Sequence, residues 1–354
     1  MQIVDKKSYI LNISLIIQFL IMKHLHFAIF FMIITFSSIA QTKTIGKFIL
    51  EDPSFNSLID VSTKIEVLAE GFEWSEGPIW VKEGSYLLFS DVPKNTIYKW
   101  KKGEEVSVFL SPSGYTGKMP YSNEPGSNGL TISNDGHLIA CEHGDRRVTI
   151  MPLNGKGGKF TLADRFNGKR FNSPNDVVEA KSGDIYFTDP PYGLPEFISD
   201  PSREIDLFGV YRISKDRKVS LEIEDLLRPN GVALSVDQKT LFVAQSDKKA
   251  YIMAYPIKSD GSLEKGRLFF DASYLNAQGL KGAPDGLKVD KDGNIFSSGP
   301  GGVMVINKHG KLLGRIDLPS ATSNLAWGED GSTLFITSDM FLIRVETKTK
   351  GANY

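Results

Sequence analysis

The sequence predicts an all-β protein: a six-bladed β-propeller of four-stranded antiparallel blades, closed by an N-terminal strand. Three observations predict it. One strand–turn–strand pattern recurs six times along the chain. A residue with a side-chain oxygen leads every copy. Beyond the N-terminus, no segment sustains the 3.6-residue apolar period of a helix, so a helical solenoid is excluded.

The N-terminus differs in kind from the rest. From Met22 the chain has a basic start at Lys23, an apolar run from Leu25 to Phe36, and small residues at Ser38 and Ala40. That is the layout of a secretory signal peptide cleaved after Ala40, with Met22 as an alternative initiator. The competing reading is a retained membrane anchor, for which the apolar run is short. The expected organisation is a signal in residues 1–40, a partly mobile lead-in in 41–62, and one propeller domain in 63–354. The expected location is the periplasm or the medium, with no membrane partner once the signal is removed.

The segment 63–72, TKIEVLAEGF, precedes the first copy and supplies a strand for closing the ring. The copies then begin at Glu76, Asn128, Asn175, Asn230, Asp285 and Asn324. Each is a short apolar strand, a turn and a second apolar strand. In four of them the turn pair falls at one register: Glu83-Gly84, Asp135-Gly136, Ser182-Gly183 and Asp292-Gly293. Asp237-Gln238 takes that place without glycine, and Asp330-Gly331 comes one residue early. Such pairs supply the positive φ of a tight hairpin. A period near 50 residues with strand-only content suits one four-stranded blade. A flat sandwich gives no reason for six equivalent segments. After the last copy little chain remains, so both termini share the final blade and no free edge is left. Two stretches rich in Pro, Gly and Ser, 111–126 and 192–209, interrupt the period as long loops, either solvated connections or carriers of specificity.

Composition limits the partners. The net charge of −1 becomes −3 when residues 1–40 leave with Lys6, Lys7, Lys23 and Asp5. No basic stripe is present, which excludes a nucleic-acid footprint. The single cysteine, Cys141, excludes an internal disulfide and reads as a small buried residue.

The leading residues carry the functional signal. In a propeller the first strand of each blade lines the channel, so equivalent positions converge on the axis. Carboxylates crowded there repel one another. A hard cation resolves the conflict, and calcium accepts about six to eight oxygens from carboxylates, amides and water. No His or Cys stands at these positions, which disfavours zinc. The expected cofactor is one divalent ion, calcium first, with Mg2+, Mn2+ or Zn2+ as alternatives.

At these residues the chain resembles the gluconolactonase, senescence-marker-protein and luciferin-regenerating-enzyme-like family, over roughly residues 63–347. SEGPIW, NSPNDVV, YFTDPPYGL, RPNGVALS, APDGLKVD and GPGGVMVIN occur in the family's order. The resemblance implies a six-bladed propeller with a divalent ion, often calcium, on its axis. It implies metal ligands at Glu76, Asn175, Asn230 and Asp285, with Asn128 beside the ion contacting substrate or water. Ser173 stands where animal members carry an arginine that grips a sugar lactone, so the substrate's identity is open. His143, Arg146 and Arg147 are further polar candidates for the pocket, or the arginines face solvent.

The implied activity is metal-dependent hydrolysis of a lactone, a small sugar (aldono) lactone such as gluconolactone. The ion would polarise the carbonyl and activate water, with Asp285 as general base or ligand only. No G-x-S-x-G elbow suggests a nucleophilic serine. Two alternatives stand beside this reading: a non-enzymatic, calcium-pinned propeller that binds a protein or glycan, and a phosphotriesterase-like hydrolase using the same ion.

Overall fold

Each of the six copies forms the two innermost strands of one antiparallel sheet. The computed structural model describes residues 15, 17–23 and 42–352. The first blade holds Ser75–Val81, Tyr86–Asp91, Thr96–Trp100 and Ser107–Leu110. The second holds Ser127–Ile132, His137–Glu142, Arg147–Pro152 and Phe160–Ala163. The third holds Val177–Glu179, Ile185–Asp189, Gly209–Ile213 and Val219–Ile223, and the fourth Pro229–Leu234, Thr240–Gln245, Tyr251–Pro256 and Arg267–Asp271. Leu287–Val289, Ile295–Gly299, Gly302–Ile306 and Leu312–Asp317 make the fifth. The sixth joins Thr322–Gly328, Thr333–Ser338 and Phe341–Glu346 to Ile65–Glu70 from the N-terminal side.

That last pairing is the expected closure: Ile65 lies opposite Val345 and Glu70 opposite Phe341. The lead-in, in contrast, is not a loose tether. Lys47–Leu50 adds a fifth strand to the fifth blade, with Lys47 opposite Asp317 and Leu50 opposite Gly314. Phe55 and Ile59 follow and are completely buried. Their apolar area is removed from water, which stabilises the segment by about 1.5–3 kcal/mol per such side chain. Lys43–Tyr354 is one compact unit and Met1–Thr42 another. In the latter, residues 17–23 are helical; the apolar run 25–36 and the cleavage point after Ala40 lie outside the described residues. No helix among the described residues is long and apolar enough to cross a membrane.

The hairpin turns follow the sequence with two shifts. Gly136, Gly183 and Gly293 take φ of 83°, 88° and 86°. Where glycine is lacking, Gln238 adopts φ 58°, and in the first blade the left-handed residue is Ser85 at φ 50°, not Gly84. An L side chain there costs about 1–2 kcal/mol, which sheet pairing on both sides offsets.

The core is distributed rather than central. Among the described residues, six buried clusters each fill the gap between two neighbouring blades. Between the sixth and first blades, Trp80 stacks on Phe335 at 5.4 Å. Cys141 belongs to the cluster between the second and third, a buried free thiol as expected. The clusters face neighbouring blades, apolar inner-strand residues such as Ile79, Leu130 and Val178 line the cavity between the blades, and the polar leaders stand at the strand starts.

Candidate functional site at the channel mouth

The leaders are aimed by a repeated irregularity. In the first blade Glu76 lies opposite Ser90 and Ile79 opposite Leu88, so the inner strand carries one extra residue. The same bulge separates Ser127 from Leu130, Pro229 from Val232, and Thr322 from Asn324. In the third and fifth blades the inner strand starts only after the leader, at Val177 and Leu287. A bulge breaks the alternation of faces and re-aims a side chain. The leaders therefore leave the pleat just where the strands meet the channel mouth.

Polar latches at all six blade junctions hold these starts in one ring. Ser90 Oγ donates to Asn128 O at 2.9 Å, and Gly129 N to Asn175 O at 2.7 Å. Val232 N donates to Asp176 Oδ2 at 3.1 Å, and Ser246 Oγ to Pro284 O. Gly286 N donates to Ser323 O at 2.8 Å, and Ser323 Oγ to Ser75 O at 2.6 Å. Close approach explains the glycine after several leaders. A Cβ on Gly77 would stand 2.1 Å from Asn128 O, and one on Gly231 would stand 2.0 Å from Asp285 O.

Convergence produces a charged, partly unsatisfied cluster. Glu76 is buried; its Oε2 accepts from Gly77 N at 2.6 Å and from Asn324 Nδ2 at 3.2 Å. Burial pushes its carboxyl well up, with the Asp176 carboxylate adding to the shift. Asp285 remains partly accessible at the mouth. Its carboxyl is also pushed far up, first by desolvation and then by Glu76, Asp176 and Glu124. Four acids are thus in electrical contact. Lys288, whose Nζ donates to Asn324 Oδ1 at 3.2 Å, is the cation felt by both Glu76 and Asp176.

The carboxamides divide into two kinds. Asn230 Nδ2 donates to Ser246 Oγ at 3.0 Å, leaving Oδ1 buried with no partner. Asn128 Oδ1 is likewise buried and without a partner. Asn175 Nδ2 lies 3.4 Å from His143 Nε2. Burial depresses the His143 imidazole to about 4, so the ring is neutral; its Nδ1 donates to Glu124 O at 3.2 Å and its Nε2 accepts from Asn175. The oxygen of Asn324, by contrast, is taken by Leu325 N at 2.8 Å and by Lys288. The sixth leader is a brace for Glu76, not a free donor.

Unpaired buried carbonyl oxygens beside two carboxyls raised by burial and by neighbouring acids make a set deficient in positive charge. All the free atoms are hard oxygens, which fits a hard divalent cation. Among the described residues no three His, Cys, Asp or Glu side chains gather closely enough to hold an ion by themselves. An ion here would therefore depend on the amides: Glu76 and Asp285 could supply charge, Asn175 and Asn230 neutral oxygens.

Other sequence candidates are placed differently. Ser173 is completely buried and its hydroxyl is committed: Oγ donates to Pro190 O at 2.5 Å and accepts from Gly193 N at 3.0 Å. It positions the chain after the third blade's second strand. Arg146 does not face solvent; it is buried, with Nε on Phe171 O at 2.6 Å and Nη1 on Ser202 O at 3.0 Å. It braces the 192–209 loop. Arg147 pairs with Glu142 at 2.7 Å and Asp145 at 2.9 Å.

Three positioning residues have no assigned role in the sequence reading. Asp189 accepts from Asn172 N at 2.8 Å and Ser173 N at 2.7 Å, fixing the approach to Asn175. Asp91 does the same for Glu73 N at 3.1 Å and Trp74 N at 3.2 Å ahead of Glu76. Asp176 accepts from Val177 N at 3.0 Å as well as Val232 N. The available signal was the acid ending the second strand in both FSD and FTD.

Comparison with known proteins identifies the family and agrees with the fold. The family model described as SMP-30/Gluconolactonase/LRE-like region matches residues 74–340. A gluconolactonase of Zymomonas mobilis is 42% identical over 316 residues, 87% of this chain and 88% of that one. The solved structure of a gluconolactonase from Xanthomonas campestris superposes with a TM-score of 0.73 at 29% identity, covering 87% of this chain and 99% of that one. A calcium-binding regucalcin from Agrobacterium tumefaciens superposes with a TM-score of 0.63 at 18% identity, covering 80% of this chain and 94% of that one. At that identity the likeness concerns the fold alone.

Proposed function

Since the chain belongs to the SMP-30/gluconolactonase/LRE-like family, we propose that it is a divalent-metal-dependent lactonase acting on a sugar lactone. One observation carries the metal: the unpartnered oxygens of Asn128 and Asn230 lie at the same channel mouth as Glu76 and Asp285, two carboxyls whose ionisation is opposed by burial and by neighbouring acids. Glu76, Asn175, Asn230 and Asp285 hold the ion, with calcium first by oxygen chemistry. When bound, such an ion supplies Lewis-acid polarisation of the lactone carbonyl and makes water more acidic.

The side chains then divide the work. Asp285 is the one partly accessible carboxylate of the pair, so it takes the proton of the attacking water. The new C–O bond forms as the ring C–O bond breaks, and the proton passes to the departing alkoxide, giving the open hydroxy acid. Glu76, hydrogen-bonded to Gly77 N and Asn324, is fixed and anchors charge. Asn128 offers its free oxygen to substrate or water, and His143 holds the Asn175 amide so that its oxygen faces the site. Both ring nitrogens of His143 are engaged, Nδ1 with Glu124 O and Nε2 with Asn175, so it serves as a positioning group.

A panel of sugar lactones, simple lactones and phosphotriesters, assayed before and after exhaustive chelation, tests the reading. Lactone turnover lost on chelation and restored by calcium is the expected result. Full lactonase activity without metal overturns it, preferential phosphotriester turnover favours the alternative hydrolase, and calcium-dependent stability without turnover favours a binding propeller. Export rests on the basic, apolar and small-residue layout of residues 1–40; N-terminal sequencing of exported protein should begin at Gln41.

A further inference from the structure

Three residues beyond the six leaders stand Ile79, Thr131, Val178, Ala233, Lys288 and Trp327. All six line one cavity of about 280 Å3, walled by the inner strands of every blade. Five of them are uncharged, and the sixth is a lysine. The other charged residues on that wall, Lys82, Glu83 and Glu179, stand further along the chain from their leaders. Lys288 is half-buried, and the hydrolysis described above makes no use of its charge.

The ammonium is aimed back at the leaders. Its Nζ donates to Leu287 O at 3.1 Å and to Asn324 Oδ1 at 3.2 Å, and among the described residues to no carboxylate. Asn324 passes the polarity on, for its Nδ2 donates to Glu76 Oε2 at 3.2 Å. An amide held between a cation and a carboxylate is polarised by both, which strengthens each hydrogen bond. Asp176, fixed by Val177 N at 3.0 Å and Val232 N at 3.1 Å, lies in the field of the same ammonium, as does Glu76. A charge on a largely apolar wall is costly unless opposite charge offsets it. Here the two inner acids provide that offset, and they do so whether or not an ion is bound.

We propose that Lys288 is a built-in counter-cation: it neutralises the inner acids Asp176 and Glu76 when the site is empty, and it lowers the affinity for a divalent ion when one arrives. The second half rests on the metal reading of the site; the first does not. Empty, the acids keep one fixed positive neighbour. Loaded, that neighbour has the same sign as the ion and repels it.

Three substitutions separate charge from shape. Lys288→Met removes the charge and keeps an unbranched chain, Lys288→Gln removes the charge but keeps an N–H donor for Asn324, and Lys288→Arg keeps the charge. Calorimetry follows calcium binding, and urea unfolding in chelator follows the empty protein, each alone and with Asp176→Asn. Calcium should bind Lys288→Met and Lys288→Gln on the order of tenfold more tightly than the unmodified protein, and Lys288→Arg within about threefold of it. In chelator the folding equilibrium constant of Lys288→Met should fall on the order of tenfold, and that loss should shrink at least about threefold once Asp176→Asn is present.

A purely structural brace behaves in the opposite way, because its removal loosens Asn324 and Glu76 and weakens calcium binding. Weaker or unchanged calcium binding in both neutral variants overturns the proposal, as does a chelator loss that is independent of Asp176. If Lys288→Met does not fold, Lys288→Gln and Lys288→Arg carry the same comparison. If the unmodified protein binds no calcium, the metal reading fails and the chelator experiment decides: coupling between Lys288 and Asp176 sustains the counter-cation, and its absence ends it.

Discussion

Replacing Glu76 by Gln should stabilise the metal-free protein and destabilise the calcium-loaded one. The carboxyl of Glu76 rises from 4.5 to about 8 on folding. The folded state thus holds a proton that the unfolded chain has released, and stability from this group is complete below pH 4.5 and is lost as pH rises through about 8. Each pH unit in that window removes about 1.4 kcal/mol, so by pH 7 burying this group costs about 3 kcal/mol. Glutamine removes the cost at nearly constant volume. With its oxygen at the Oε2 position it still accepts from Gly77 N and Asn324 Nδ2. Urea denaturation from pH 5 to 8, in chelator and in excess calcium, measures both signs. In chelator the variant should gain about 2–3 kcal/mol at neutral pH, less near pH 5, and show a shallower pH slope. In calcium it should lose the mass-action stabilisation that ion binding provides. A variant that is equally destabilised with and without calcium, at every pH, refutes the view that opposed carboxylates await a cation.

The same geometry fixes further outcomes. Asn230→Ala removes an unpartnered oxygen, so calcium affinity by calorimetry should fall at least about tenfold while metal-free stability changes by no more than about 1 kcal/mol. Gly231→Ala brings a Cβ to within 2.0 Å of Asp285 O, where the neighbour is backbone and cannot swing away; a loss of about 2–4 kcal/mol in thermal or urea unfolding is expected, with weaker metal binding. Asp189→Ala strands the buried N–H groups of Asn172 and Ser173, costing about 2–4 kcal/mol, and kcat should fall because Asn175 loses its fixed approach.

Sequence alone determined the architecture, because six copies of one strand pair can bury their apolar faces only against each other, and a ring satisfies all six. It also determined the closure by residues 63–72 and the oxygen-bearing leaders, since periodic chemistry survives in a linear text. The tertiary structure decided everything that depends on which atoms remain free. Asn324 and Asn230 are both asparagine leaders, yet the first spends its oxygen on Lys288 and Leu325 and the second keeps it. Ser173 and Asp176 flank the same leader, yet one is consumed by loop contacts and the other joins the charged cluster. The lead-in strand at Lys47–Leu50 and the Glu124 carboxyl were equally illegible, because neither belongs to the repeat. Periodicity fixes which residues approach the axis; bulges, latches and loop paths, all contacts between residues distant in sequence, fix which of their oxygens a ligand can reach.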